Sequence, residues 1–97
     1  QFAELVKEGK GLLLDVRTPG EYNEGHLEGS THIDFYSDNF KKEISKLDPE
    51  TPVYVYCRSG GRSGNTAKML NAMGFKAVYN LDGGIKAWSG KGNETVK

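Results

Sequence analysis

The chain has 97 residues, enough for one hydrophobic core and too few for two catalytic domains. Hydrophobic residues make up 36% and charged residues 27%, the balance of an ordinary globular protein, which excludes the disordered and fibrous classes. Thirteen Lys and Arg offset thirteen Asp and Glu, so no global field favours nucleic acid or an anionic membrane, and any charge-based function is local. The apolar runs Leu12–Leu14 and Val53–Cys57 fall far short of the roughly 18 residues a membrane helix needs. No nucleic-acid or membrane partner is therefore expected. The single cysteine, Cys57, excludes an internal disulfide and a multi-cysteine zinc site. His26 and His32 do not match the i, i+4 pair of a helical metal site, so neither a metal nor a cofactor is expected. The chain opens on Gln1 without a basic and apolar leader, which suggests a processed or trimmed form and leaves the compartment open, with the cytoplasm favoured and the periplasm possible.

In chain order, Phe2, Leu5 and Val6 fall at i, i+3, i+4 before Gly9 and predict a short helix over residues 1–8. Gly11–Val16 is apolar without alternation, as in a strand of a parallel sheet covered on both faces. Thr18-Pro19-Gly20-Glu21 combines an N-cap hydroxyl, Pro at the first helical position and a carboxylate three residues past the cap, predicting a helix over Pro19–Glu24. Gly25 and Gly29 frame a turn around His26, and His32–Phe35 is the weakest strand, interrupted by Asp34. Asp38 is the candidate cap of an amphipathic helix carrying Phe40, Ile44 and Leu47, which Asp48-Pro49 ends. Pro52–Tyr56 reads as a central strand leading straight into Cys57-Arg58-Ser59-Gly60-Gly61-Arg62-Ser63. Thr66, Met69, Leu70 and Met73 mark the core face of the next helix, closed by Gly74. Ala77–Leu81 reads as a strand, Gly83-Gly84 as a turn and Ile85–Ser89 as a short helix anchored by Trp88, after which the polar tail from Gly90 is expected to fray. This alternation predicts an α/β fold with a mostly parallel sheet flanked by helices on both faces, as one domain over residues 1–97.

Ligands of open parallel sheets bind beyond the carboxyl ends of the strands, which is where Cys57 lies. Gly60 and Gly61 let the backbone curl with its N–H groups turned inward, and such a nest beside a helix starting near Ser63 attracts anions. The bound anion can be the cysteine's own thiolate. A free thiol titrates at about 8.5, and a helix N-terminus with Arg58 and Arg62 nearby lowers that value, making Cys57 a nucleophile at neutral pH. The bland alternative is a buried packing cysteine. Packing, however, requires neither two arginines nor two glycines in the five residues that follow. Asp15 and Arg17 read as partners of each other or as backbone caps, and His26 as structural. The capping box alone explains Thr18 and Glu21, and Trp88 and the tyrosines read as core.

From Leu12 to Trp88 the chain resembles the rhodanese sulfurtransferases. Leu14-Asp15-Val16-Arg17, Glu21-Tyr22, Gly25-His26-Leu27-Glu28-Gly29-Ser30 and His32-Ile33 are similar, in order and spacing, to that family's first signature, and Tyr56 to Ser63 to its second. Gly74-Phe75, Val78, Leu81, Gly83-Gly84-Ile85 and Trp88 resemble its closing segment. Ser30 stands where the family often has Ala, Asp34 where Pro is frequent, and the tail lacks a familiar Gly-x-Pro. The resemblance implies a rhodanese-like fold and a thiosulfate sulfurtransferase, in which Cys57 takes the outer sulfur of a small anionic donor as a persulfide. The sulfur then passes to cyanide, a small thiol or a thiol-bearing protein, with ping-pong kinetics. It further implies that backbone N–H groups of Arg58, Ser59, Gly60, Gly61, Arg62 and Ser63 stabilise the persulfide. Arg58 and Arg62 would orient the donor.

Two other readings stay open. A phosphatase or arsenate reductase of related fold uses a Cys-x5-Arg loop, one residue longer than Cys57-x4-Arg62. A non-enzymatic sulfur carrier or protein-binding module of the same family keeps the fold without turnover. With no second cysteine, an external thiol must resolve any oxidised or persulfidated Cys57. Neutral charge and modest size suggest a monomer.

Overall fold

Two apolar strands, buried on both faces, form the middle of the sheet, and two shorter, more polar strands flank them. The structure, a computed structural model, describes residues 11–81, 83–90 and 95–96. Strands β1 (Leu12–Asp15), β2 (Thr31–His32), β3 (Val53–Tyr56) and β4 (Val78–Asn80) pair in parallel in the order β2-β1-β3-β4. Side chains alternate across a strand. Leu14, Val16, Val53 and Val55 therefore share one face with Phe40, Ile44, Leu70 and Phe75. Leu13, Tyr54 and Tyr56 share the other with Leu27, Ile85 and Trp88. Burial on both faces is why β1 and β3 read as continuous apolar runs. The helices are α1 (Pro19–Glu24), α2 (Phe40–Ile44), α3 (Gly61–Ala72) and α4 (Gly84–Gly90). Helices α2 and α3 supply the cover of the first face, and α4 with the Leu27 turn that of the second. None of these helices is long and apolar enough to cross a membrane.

The helix expected over Pro19–Glu24 is present with those bounds, and Thr18 and Glu21 form the full capping box. Elsewhere the bounds move for local reasons. The strand expected over His32–Phe35 pairs only at Thr31–His32. The Asp34 carboxylate takes the Tyr36 N–H at 3.0 Å and the Asp34 carbonyl takes that of Ser37, also at 3.0 Å, which turns the chain off the sheet. Asp38 does not cap α2. Asn39 holds the N-cap position without a side-chain bond, and the Ser37 carbonyl takes the Phe40 N–H at 3.0 Å. Leu47 lies past the end of α2 yet still packs on the core. Helix α3 starts at Gly61 rather than near Ser63. Tyr54 and Tyr56 are core as expected, whereas Tyr36 is 65% and Tyr79 44% exposed. The helix expected over residues 1–8 lies outside the described residues, as does most of the tail. Within the tail, Val96 is paired with His26 through two N–H···O bonds of 2.7 Å, so that segment is tied down instead of frayed.

A buried polar cluster closes the carboxyl end of β1. Asp15 is 0% and Arg17 4% exposed, and a charge so placed must be paired and fully hydrogen-bonded. Arg17 Nε and Nη2 donate to the Asp15 carboxylate at 2.8–3.1 Å, and Nη2 also donates to the Gly25 carbonyl at 2.6 Å. The Tyr56 hydroxyl donates to Asp15 Oδ2 at 2.6 Å and accepts the Leu27 N–H at 3.1 Å, joining β1, β3 and the turn after α1. Burial, followed by the Asp15 carboxylate, raises the Tyr56 phenol far above its ordinary range, so it stays a donor. Burial opposes the Arg17 charge, yet its bonds to Asp15 outweigh this and raise its pKa. Tyr56→Phe leaves Asp15 short of one bond and the Leu27 N–H without its acceptor. It is expected to lower unfolding stability by about 1–3 kcal/mol, read from urea denaturation. Unchanged stability would show that the cluster does not hold these strands together.

Candidate active site

The loop between β3 and α3 places Cys57 immediately past the carboxyl end of the central strand. Cys57 is 1% exposed. Its backbone is held from the second face of the sheet, where Ile85 N–H donates to the Cys57 carbonyl at 2.8 Å and Lys86 N–H to the Arg58 carbonyl at 3.1 Å. This approach requires glycine at position 84, with φ of +62°, because a Cβ there would collide with the Cys57 and Arg58 backbone. Gly60, with φ of +108°, takes the left-handed conformation that folds the chain back under the sulfur and opens α3.

Donors converge on the sulfur. Gly60 N–H reaches Cys57 Sγ at 3.0 Å and the Ser63 hydroxyl lies 3.4 Å away. Burial alone pushes the thiol pKa up. The Ser63 hydroxyl and the N–H groups of Ser63, Gly60 and Ser59 outweigh burial, and the net direction is down. The expected lowering is present, but its source differs from the expectation. Hydrogen bonds from the loop act on the sulfur, and the arginines stand further out.

Arg62 is turned away from the sulfur toward α1. Its Nη1 and Nη2 donate to Glu21 Oε1 and Oε2 at 2.7 and 2.9 Å, a two-pronged pair, while its guanidinium lies over the Tyr36 ring at 5.7 Å. The capping box therefore does not exhaust Glu21, which spans from the start of α1 to the start of α3. The guanidinium holds the Glu21 carboxyl down at about 2, and Glu21 raises Arg62 in turn. Arg58 is exposed. Its side chain joins Lys86, Ser89 and Arg17 in lining a cavity of about 440 Å³ beside the loop, with Glu21 and Glu24 opposite in charge. Gly61 begins α3 with open space around it, and Ser59 offers its N–H inward. Thus Ser59, Gly60 and Ser63 surround the sulfur, while the side chains of Arg58 and Arg62 do not meet one another there.

The remaining singled-out residues are structural in placement. His26 stacks on Tyr22 with ring centroids 3.8 Å apart, and His32 stacks on the same ring at 4.5 Å. His26 Nδ1 donates to the Tyr22 carbonyl at 3.0 Å, and His32 Nε2 to the Arg17 carbonyl at 2.7 Å. Among the described residues no three His, Cys, Asp or Glu side chains converge as metal ligands. One partner of Ser63 escaped sequence reasoning. Asn80, at the end of β4, accepts the Ser63 hydroxyl at 2.5 Å. Its only signal in the sequence was a polar residue at the carboxyl end of a strand.

Comparison with known proteins agrees with this geometry. Residues 1–91 match the Rhodanese-like domain family. The chain is 39% identical over 82 residues to the uncharacterized protein YqhL of Bacillus subtilis, spanning 84% of this chain and 64% of that one, so it falls short of two thirds of that relative's length. It is 33% identical over 88 residues to the thiosulfate sulfurtransferase GlpE of Tolumonas auensis, covering 91% of this chain and 81% of GlpE. The crystal structure of a rhodanese-related protein from Thermoplasma volcanium superposes with a TM-score of 0.85 at 26% identity, over 98% of this chain and 93% of that one. The rhodanese-like domain of the Alr3790 protein of Anabaena gives 0.78 at 28% identity, over 90% and 99%. With its parallel sheet, its flanking helices and a cysteine cradled after the central strand, this chain belongs to the rhodanese-like domain family.

Proposed function

We propose that the protein is a sulfurtransferase working through a persulfide on Cys57. The observation that carries this reading is the set of donors directed at a nearly buried sulfur, which hold a charged sulfur where water cannot. The Cys57 thiolate attacks the outer sulfur of a thiosulfate-type donor. A sulfur–sulfur bond forms at Cys57, the donor's own sulfur–sulfur bond breaks, and sulfite leaves with that electron pair. The terminal sulfur carries the negative charge that the thiolate had. An external thiol then attacks that sulfur and leaves with it, and the proton it brought goes to Cys57. Membership of the family and the similarity to a thiosulfate sulfurtransferase support this reading.

Within it, the two arginines have different tasks. Arg58, exposed and without a side-chain partner among the described residues, is the cation available to an anionic donor entering the cavity beside the loop. Arg62 fastens the loop to Glu21 and adds positive potential at the sulfur through space. Arg58→Ala is expected to raise the KM for thiosulfate with little change in kcat, since it removes binding shared by ground and transition states. A loss confined to kcat would contradict that role.

Intact mass spectrometry after brief exposure to thiosulfate tests the covalent step. The wild type is expected to gain one sulfur that a thiol reductant removes, and Cys57→Ser to gain none while keeping its fold. Sulfur transfer by Cys57→Ser would refute the mechanism.

The fastening of the loop has its own pH signature. The Glu21 carboxyl sits at about 2 against an ordinary 4.5, so its folded value is depressed. The stability it contributes is present above the ordinary value and is lost as pH falls toward 2. Glu21→Gln preserves the capping box, which accepts Gln, and removes the ion pair. Its stability deficit against wild type in urea should be constant above pH 5 and should shrink between pH 4.5 and 2. A deficit independent of pH would show that the charge on Glu21 is not its source.

A further inference from the structure

The Ser63 hydroxyl has one proton and two acceptors within reach. Cys57 Sγ is 3.4 Å from Ser63 Oγ, and Asn80 Oδ1 is 2.5 Å from it. Ser63 is fully buried, so water does not relieve the competition. A hydroxyl can donate once and accept twice. When its proton points at Asn80 it can accept from the Cys57 S–H. When the sulfur is charged, the proton must point at the sulfur, and Oγ is then best served by a donor on its other side. An amide supplies both needs, because it presents an acceptor at one end and a donor at the other and differs between them only by a half-turn. Space for that turn exists, since position 64 is glycine and even a methyl group there would lie 3.6 Å from Asn80 Nδ2. Asn80 is only partly buried, so the amide end facing away from Ser63 can be met by water.

We propose that Asn80 is a positioning residue that directs the Ser63 hydroxyl proton onto Cys57 when the sulfur is charged. With the thiol protonated, Asn80 Oδ1 accepts from Ser63. With the thiolate or persulfide present, the amide turns, Nδ2 donates to Ser63 Oγ, and the hydroxyl donates to the sulfur. Asn80 bonds the Ser63 hydroxyl and not the sulfur. It acts through Ser63, and the strand pairing of Val55 with Asn80 sets its place relative to the loop. The other groups that act on the sulfur are the N–H groups of Ser59, Gly60 and Ser63, which bond it, and the Arg62 charge, which acts through space with Glu21 as its counter-charge.

This inference rests on Cys57 being the sulfur carrier, yet its test reads thiol ionisation alone, so failure of sulfur transfer and failure of the relay are separable. Asn80→Asp keeps the size and the acceptor but removes the donor, and a charged carboxylate holds the Ser63 proton more strongly than an amide does. The pH profile of Cys57 alkylation by iodoacetamide is followed by intact mass in wild type, Ser63→Ala, Asn80→Asp and the double variant. Ser63→Ala should move the midpoint of the profile up by about one pH unit beside Asn80, the size of one hydrogen bond to a charged acceptor. In the Asn80→Asp background Ser63→Ala should leave the midpoint in place, because the hydroxyl no longer serves the sulfur. The added carboxylate's through-space effect is common to both members of that comparison and cancels. Equal movement in both backgrounds, or none in either, overturns the proposal. Asn80→Leu guards against an Asn80→Asp protein that fails to fold. Without Nδ2 behind it the hydroxyl reaches the sulfur but is not held there, so the midpoint should lie above that of wild type and below that of Ser63→Ala. A midpoint equal to that of wild type, or as high as that of Ser63→Ala, would mean that Asn80 does not direct the hydroxyl.

Discussion

Burial and ionisation pull the Cys57 sulfur in opposite directions, and the loop is shaped by that opposition. A thiol sealed from water prefers its neutral form. Cys57 is 1% exposed, so whatever stabilises its charge must come from the protein. What the protein offers is mostly backbone, fixed in direction before any ligand arrives, with one rotatable hydroxyl. Fixed donors need no reorganisation when charge appears. The left-handed Gly60 and the close approach of Gly84 are the cost of that arrangement, since both positions exclude ordinary side chains. A loop that only packs a cysteine has no need of either glycine conformation.

The rest of the fold serves to keep the loop still. Cys57 leaves a strand whose four residues are all buried. Its carbonyl is held by α4 on one side of the sheet, while α3, which begins in the loop, packs on the other. The Asp15, Arg17 and Tyr56 cluster sits one residue from Cys57 and ties β1 to β3 where the sheet ends. Replacing such a cluster by apolar residues often stabilises a protein. Its value here is geometric, because the Tyr56 hydroxyl has one position in which it satisfies both Asp15 and Leu27. The Glu21 and Arg62 pair does the same on the outer side, and it lies in partial contact with solvent, where a two-pronged geometry matters more than charge alone.

What could be read in the sequence was whatever acts over short separations. Helix α1 was legible to the residue because its cap, its proline and its carboxylate lie within four positions. The loop was legible because glycines and a cysteine between a strand and a helix leave few alternatives. The strand at His32–Phe35 failed because Asp34 bonds its own neighbours, and β-pattern reading has no measure of that competition. The cap at Asp38 failed by one residue, which is the usual margin where several polar residues precede a helix. Glu21 with Arg62 and Ser63 with Asn80 were invisible for a different reason. They join positions 41 and 17 residues apart, and with thirteen acidic side chains in the chain nothing local selects Glu21 as the partner of Arg62.

The position of Arg62 also bears on what the loop is built to hold. A tetrahedral oxyanion presents several charged oxygens and is best met by a ring of N–H groups with an arginine across its mouth, as bidentate pairing of arginine with phosphate requires. In this loop the donors from Ser59, Gly60 and Ser63 meet at one atom. The guanidinium that would face an oxyanion is committed on both prongs to Glu21 and covered by Tyr36. Freeing it would break two charged hydrogen bonds that already hold the loop in place. A cradle whose donors converge on a single sulfur, and whose arginine is engaged elsewhere, suits a charge held on that sulfur, which is what the thiolate of the proposed sulfur transfer requires.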